Sequence, residues 1–443
     1  MKCNLLNNLL YDKLTSYITK NNKRFLLSLS GGLDSVVLLY LLIEFKKVFD
    51  LDIHLMHFNY NTNSNSNKAQ MYCLELSKLF NLNLSIKSIN LSNKNFESKA
   101  RESRYILLEK YAEKYNIGTI LTAHHYDDQI ETLYMNYLKK TDWISMVGIH
   151  PEKDKIRRPL LHLKKRDLCN YARLNNIKWI EDLTNKNNIF FRNNVRNNLI
   201  PNILSNKPKL INKLLLQSKN NLSRYSDLLK DIKHNLFSYL INFDNNHMLI
   251  HNNIVSNYSS IEMKLIYQIL LKKKFNYKIT NSNKHWKNFH NFINCSKPGS
   301  KFFINDDVIC IMDRKSHFIF FKDYYDRLLN LKYNKKVKIN KFPFTWNRSS
   351  TIFPDGRNYN IMIPKKNLEE GLYVRYWRNG DECYSKYYDK YIKVKKIFIN
   401  NKLSIYHKLI TPIFLDKSDN IISIPNVYNR NNDADLKLNW KIK

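Results

Sequence analysis

Long apolar runs are missing from this 443-residue chain. The longest, Val36 to Ile43, is eight residues and stops at Glu44. A membrane-crossing helix needs about 20, so a membrane-embedded protein is excluded. Met1 to Asn8 carry no apolar core of a secretion signal, so a cytoplasmic location is expected. The six cysteines (Cys3, Cys73, Cys169, Cys295, Cys310 and Cys383) include no Cys-x-x-Cys pair. That argues against a zinc ribbon or a disulfide framework and for reduced thiols. Acidic residues are scarce: 38 against 73 Lys and Arg, a net charge of +35. The imbalance favours a polyanionic partner, most simply nucleic acid. The abundance of Lys, Asn, Ile and Tyr is also what AT-rich codons supply, so charge alone defines no binding surface. No basic amphipathic anchor with a clear apolar face is evident, so no membrane partner is expected.

What is present suffices for folded domains. Hydrophobic residues make up 43% and aromatics 13%, which excludes intrinsic disorder. At roughly 100–200 residues per domain, the length suggests two to four. Residues 1–206 alternate strand and helix patterns. Strands are expected at 24–30, 52–60, 83–89 and 118–123, with helices at 35–47, 68–80, 97–115 and 127–138. Such alternation predicts a parallel sheet with helices on both faces, with ligands at the carboxyl ends of its strands. Near Pro201 to Pro208 the pattern changes. Helical stretches at 211–217, 222–240, 259–273 and 283–293 define a middle domain, 207–323, that ends in a β-hairpin at 302–321. Residues 324–443 read as a basic, β-rich C-terminal domain with one helix-like run at 391–400.

Only eight glycines occur, and two of them, Gly31 and Gly32, stand together between a strand and a helix. The segment is Ser30-Gly31-Gly32-Leu33-Asp34-Ser35. Glycine lets the chain turn tightly and lets an anion reach the backbone N–H groups, and the helix behind presents its own donors. Ser30 and Ser35 add hydroxyls. The lysine of the G-x-x-x-x-G-K-[ST] loop is absent, so this cradle is of another class. A carboxylate at Asp34 is tolerable beside phosphates if it holds Mg²⁺; the plain alternative is a helix cap.

Further on, Glu97, Arg101 and Arg104 share a helical face, which by default is a solvated salt-bridge face. His124-His125-Tyr126-Asp127-Asp128-Gln129-Ile130-Glu131 follows the fourth strand, with Asp128 and Glu131 one turn apart. Two such acids can hold a metal or a cationic amine, or simply complement a helix N-terminus.

Ser30 to Ser35 resembles the pyrophosphate loop of the N-type ATP pyrophosphatases. In order, Arg157-Arg158-Pro159, Glu181-Asp182-Leu183-Thr184-Asn185, Arg192-Asn193-Asn194-Val195-Arg196 and Pro201 extend the likeness over 24–201. The family resembled is the tRNA(Ile)-lysidine synthetases. Val374 to Asp381, Lys393 to Phe398 and Pro412 are similar to its C-terminal domain. The run His57-Phe58-Asn59-Tyr60 lacks the second His and the Arg often found there, and Lys139 to Trp143 replaces a basic, glycine-containing loop.

The resemblance implies a ligase that uses ATP and Mg²⁺. It would join free lysine to C2 of the wobble cytidine of a CAU-anticodon tRNA(Ile), through an adenylated cytidine, changing decoding from AUG to AUA. It implies ATP contacts at Ser30, Gly31, Gly32, Leu33, Asp34, Ser35 and His57. Asp34 would hold the metal. Asp128 and Glu131 would hold and deprotonate the lysine amine, with either as the base. Arg101, Arg104, Arg192, Asn193 and Arg196 would contact substrate or tRNA, with the arginines on phosphates. A homodimer is allowed. Two rival readings are a tRNA thiolase on the same loop, disfavoured by the cysteine spacing, and a non-catalytic basic RNA-binding protein. A glutamine-hydrolysing synthetase would want cysteine where Lys2 stands.

Overall fold

The computed structural model describes residues 14–17, 23–60, 64–89, 96–181, 191–236, 241–242, 247–339, 359–363, 365–430 and 436–440. The segment 182–185, prominent in the resemblance, lies outside them, as does Cys3. The chain divides into two compact units, Met1–Asp227 and Leu228–Lys443. Among the described residues no helix is long and apolar enough to cross a membrane.

The first unit is built on a six-stranded sheet. Its strands are β1 (Arg24–Ser28), β2 (Asp52–Asn59), β3 (Asn83–Ser88), β4 (Thr119–Leu121), β5 (Glu152–Lys153) and β6 (Ile156–Arg157). Their order is β3-β2-β1-β4-β6-β5. The first five in that order run parallel, and β5 closes the edge antiparallel to β6. The β5–β6 hairpin was not expected from the sequence: its strands are two residues each, too short for a period to show.

Helices cover the sheet. They are α1 (Leu33–Val48), α2 (Ser64–Leu79), α3 (Phe96–Lys114), α4 (Tyr126–Leu138) and α5 (Lys165–Leu174). Helix α1 is apolar nearly all round, and Val36 to Leu39 are fully buried with Phe25 and Leu27 of β1 and Leu55 of β2. A helix buried on every side needs no polar face. That packing fixes the start of α1, and with it the loop before it, at the carboxyl end of β1. Helix α3 packs Leu108 and Ala112 against Leu26 and Met56, in a second cluster.

The second unit carries two five-stranded antiparallel arrangements. The first joins Ile241–Asn242, His247–His251, Lys301–Phe303, Val308–Met312 and Ser316–Phe321. The alternation at 302–321 that suggested one hairpin therefore belongs to three strands of a larger sheet. Helices Ser260–Phe275 and Asn283–Cys295 fall close to the expected stretches, whereas the stretches at 211–217 and 222–240 merge into one helix, Pro208–Asp231. No proline or glycine interrupts 209–231, so nothing stops it. In the second arrangement Arg375 makes a bidentate pair with Asp381, both bonds 2.8 Å. Arg378 donates its backbone N–H to the same carboxylate at 2.6 Å. This bracing holds the turn at Gly380, whose φ is +99°.

Leu38 is 0% exposed in the α1 core. Leu38→Ala should destabilise the first unit by about 2–5 kcal/mol. Chemical denaturation should show its transition moved to lower denaturant, and an unmoved transition would contradict the packing described.

Candidate active site

Strand β1 ends at Ser28 and the chain turns at once. Gly31 adopts φ +83°, a conformation that other residues reach only under strain. A Cβ there would also press within 3.4 Å of Ala69 and the Cys73 thiol of α2. The two serines brace this turn. Their hydroxyls lie 2.9 Å apart, Ser35 Oγ accepts the Ser30 N–H, and Ser30 Oγ accepts the Gly32 N–H. Both hydroxyls, read in the sequence as phosphate donors, are thus engaged within the loop. From outside, Ile180 N–H donates to Gly31 O at 3.0 Å.

The loop borders a cavity of about 560 Å³, lined by Ser30, Gly32, Leu33, Asp34, His57 and Arg196 among others. Lys165, Arg173, Trp179 and Ile180 line it too. Sequence reasoning gave these four no role, because a lone aromatic or basic residue carries no spacing signal. A cavity of about 300–1,000 Å³ suits a nucleotide-sized ligand. His57 forms part of the wall from β2. Its Nδ1–H donates to Leu29 O at 2.9 Å, and burial pushes its imidazole below the ordinary range. A carbonyl only accepts, so Nδ1 carries the proton and Nε2, buried and without a partner, is the bare acceptor.

Asp34 opens α1. Its side chain is 28% exposed, yet Oδ1 is shut off from solvent and has no hydrogen-bond partner. Burial raises its carboxyl above the ordinary range, only partly opposed by His125 and Lys165. An orphaned, desolvated carboxylate oxygen beside a phosphate cradle fits a divalent cation. Among the described residues no cluster of three or more His, Cys, Asp or Glu side chains could hold a metal by itself, so Asp34 would share such an ion with phosphate oxygens.

Helix α4 supplies the acids. Asp128 Oδ2 accepts the His125 N–H at 3.0 Å, so the plain capping role is real. Its other oxygen, however, faces arginines: Arg192 at 3.1 Å and Arg196 at 3.3 Å. Glu131, 2% exposed, accepts from Arg192 Nε at 2.9 Å and from both Nε and Nη2 of Arg196. Both arginines come from the segment 191–199, where Phe191–Asn194 runs into a wider helical turn, Val195–Leu199. Asn193 lies half-buried on that segment. The sequence suggested that these arginines meet phosphates; the structure spends them on Asp128 and Glu131.

His125 links the two acidic regions, with Nε2 3.6 Å from Asp34 and 3.5 Å from Asp128, and Nδ1 3.6 Å from Asp127. Burial alone would lower its imidazole, but Asp127, Asp128 and Asp34 outweigh burial and hold it above the ordinary range. In return, the imidazolium holds Asp127 at about 2. Arg101 and Arg104 sit on α3, away from the cavity wall, against the Tyr105 ring. Two thiols reach the site that spacing did not reveal. Cys169 lines the cavity, and Cys73 packs against Gly31. Burial pushes the Cys73 thiol up to about 12, so it is no nucleophile at neutral pH.

A parallel sheet, a glycine turn feeding an apolar helix and a carboxylate inside that turn define a PP-loop ATP-binding domain. Residues 5–203 match the PP-loop domain family. The tRNA(Ile)-lysidine synthase of Mycoplasma mycoides is 30% identical over 418 residues, covering 90% of this chain and 96% of that one. That of Clostridium perfringens is 26% identical over 434 residues, 89% of each chain, and that of Persephonella marina is 35% identical over 202 residues, 44% of each. The chain belongs to the tRNA(Ile)-lysidine synthase family.

The raised Asp34 carboxyl has a stability consequence. The folded chain holds this proton more tightly than the unfolded one. Its contribution is therefore full below its ordinary value of about 3.8 and is lost as pH rises through the raised value. Asp34→Asn removes that loss. At a pH above the raised value the ligand-free variant should melt no lower than the parent, and a clear drop in melting temperature would contradict the burial argument.

Proposed function

We propose that this chain joins free lysine to C2 of the wobble cytidine in a CAU-anticodon tRNA(Ile), with ATP split to AMP and pyrophosphate. The reading rests on one observation. A nucleotide-sized cavity at the phosphate loop has Asp34 and Arg196 in its wall, and Arg196 in turn holds the buried pair Asp128 and Glu131.

The cytidine C2 oxygen attacks the α-phosphorus of ATP. The α–β bridging P–O bond breaks and pyrophosphate leaves. The lysine ε-amine then attacks C2, the C2–O bond breaks, and AMP departs. We assign the phosphates to the N–H groups at the start of α1 and to the Lys165 ammonium in the cavity wall. Asp34 would hold Mg²⁺, which when bound would neutralise phosphate charge. His57 Nε2, an acceptor in the wall, suits an amino or hydroxyl group of the nucleotide.

Lysine carries an α-carboxylate, an α-ammonium and an ε-ammonium. The quartet of two carboxylates and two guanidinium groups offers partners of both signs. We assign the arginines to the α-carboxylate, which draws them partly off the acids. Asp128 or Glu131 then receives an ammonium, and one of them takes its proton. The ε-amine has an ordinary pKa near 10.4 and must shed that proton to attack. The basic residues of 324–443 would grip the tRNA body through its phosphates, as a third domain after 1–206 and 207–323.

Incubation with ATP, Mg²⁺, labelled lysine and a CAU-anticodon tRNA should put label into RNA in an ATP-dependent manner. RNA binding without label would favour a binding module. Glu131→Gln should lower incorporation by about 10²–10⁴-fold while ATP binding persists. Incorporation at the parent rate would remove Glu131 from the chemistry.

A further inference from the structure

The acid–arginine quartet has two duties that conflict. The bonds from Arg192 and Arg196 to Asp128 and Glu131 tie helix α4 to the segment 191–199. Bonds that tie two elements together can open for an incoming amino acid only if something else keeps those elements in place. Apolar packing does part of this. Leu133 and Tyr134 of α4 pack with Val195, and with Leu214 of the helix Pro208–Asp231. Such contacts are non-directional, so they leave the sliding and rotation of a helix weakly defined. A reacting group displaced by about 1 Å can cost about 10²-fold in rate. The second tie must therefore be directional, and it must lie outside the quartet.

Gln129 meets both conditions. It stands between the two acids in the sequence of α4, and its side chain has partners other than theirs. Its amide oxygen accepts the Ile149 N–H at 2.6 Å. Its amide nitrogen donates to Val147 O at 2.9 Å and to Ser218 Oγ at 3.0 Å. Ser218 Oγ donates in turn to Val147 O at 2.8 Å. Ser218 lies on the helix Pro208–Asp231 and is buried, as are Val147 and Ile149. The turn is shaped around the amide: Gly148 has φ +75°, and a Cβ there would fall 2.6 Å from Gln129 Oε1. Seven residues further along α4, Asn136 fastens the same turn by donating to Ser145 O at 2.7 Å. One neutral amide thus joins α4, the turn 145–149 and the helix that packs with the arginine segment.

We propose that Gln129 is a positioning residue for the amine-transfer step. Bonded to Ser218 and to the turn 147–149, it keeps Asp128 and Glu131 in register with Arg192 and Arg196 while lysine opens their ion pairs. It acts through the acids and touches no substrate. The inference rests on the lysine site proposed above. The phosphate loop is braced separately, by Ser30, Ser35 and Ile180, so formation of the adenylate does not depend on this amide.

The test uses the full-length chain with Gln129→Leu and, separately, with Ser218→Ala, which takes one partner from the amide. Two half-reactions are timed with a CAU-anticodon tRNA. The first forms the adenylate from ATP labelled at the α-phosphate, without lysine. The second discharges preformed adenylate over a range of lysine concentrations. The half-saturating lysine concentration should rise about tenfold or more in Gln129→Leu and about threefold in Ser218→Ala, with adenylation within about twofold of the parent. If Gln129→Leu does not fold, Ser218→Ala carries the same comparison. Equal losses in both half-reactions would make the amide merely structural and overturn the proposal. So would a parent-like lysine dependence in variants with the parent's melting temperature. A parent chain that forms no adenylate would sink the proposed function instead, and the effect of lysine on melting temperature would then decide. Stabilisation of the parent that the variants lack would support the positioning role. An equal effect on parent and variants, or none on the parent, would overturn it.

Discussion

Buried negative charge has to be neutralised wherever it sits, and this site concentrates it. Asp34, Asp128 and Glu131 gather where a nucleotide carrying more negative charge must enter. Removing one partner from a buried ion pair costs about 3–5 kcal/mol, because the other charge is left stranded. The chain meets this with cations from distant positions. Arg192 and Arg196 neutralise Asp128 and Glu131, while the His125 ring stands between Asp34, Asp127 and Asp128. Among the described carboxylates of this region, Asp34 has an oxygen, Oδ1, that is buried without a hydrogen-bond partner.

The same balance separates two kinds of arginine that look alike in the sequence. Arg192 and Arg196 are tied to acids. Arg101, Arg104 and Arg158 are tied to a phenol and a carbonyl. In the function proposed above, the first pair would exchange partners with an amino acid that carries both signs. A further arginine, Arg375 in the second unit, is locked to Asp381 and braces a turn. Basic residues in this chain therefore differ in what they are free to do, and a net charge of +35 does not distinguish them.

Much of the first unit was legible in the sequence. The parallel sheet followed from alternation, and the phosphate loop from two adjacent glycines in a glycine-poor chain. The acids of α4 followed from a three-residue spacing after a strand. What was not legible depends on long-range approach. Glu131 and Arg192 are 61 positions apart, and no local period connects them. Arg158 and Tyr105 are 53 apart. Trp179 and Ile180 reach the cavity because Ile180 pairs with Gly31, a contact that only the folded chain makes. In the second unit, the strand at 241–242 is too short to show a period, so a helical middle region was expected where a five-stranded sheet also forms.

In the reaction proposed here an RNA oxygen is activated before the amine attacks. The most direct measurement is a single turnover with ATP labelled at the α-phosphate, CAU-anticodon tRNA and no lysine. Label should become attached to the tRNA as an adenylate, which added lysine discharges as AMP. Label that never joins the RNA, with AMP formed at the same rate whether or not tRNA is present, would contradict it.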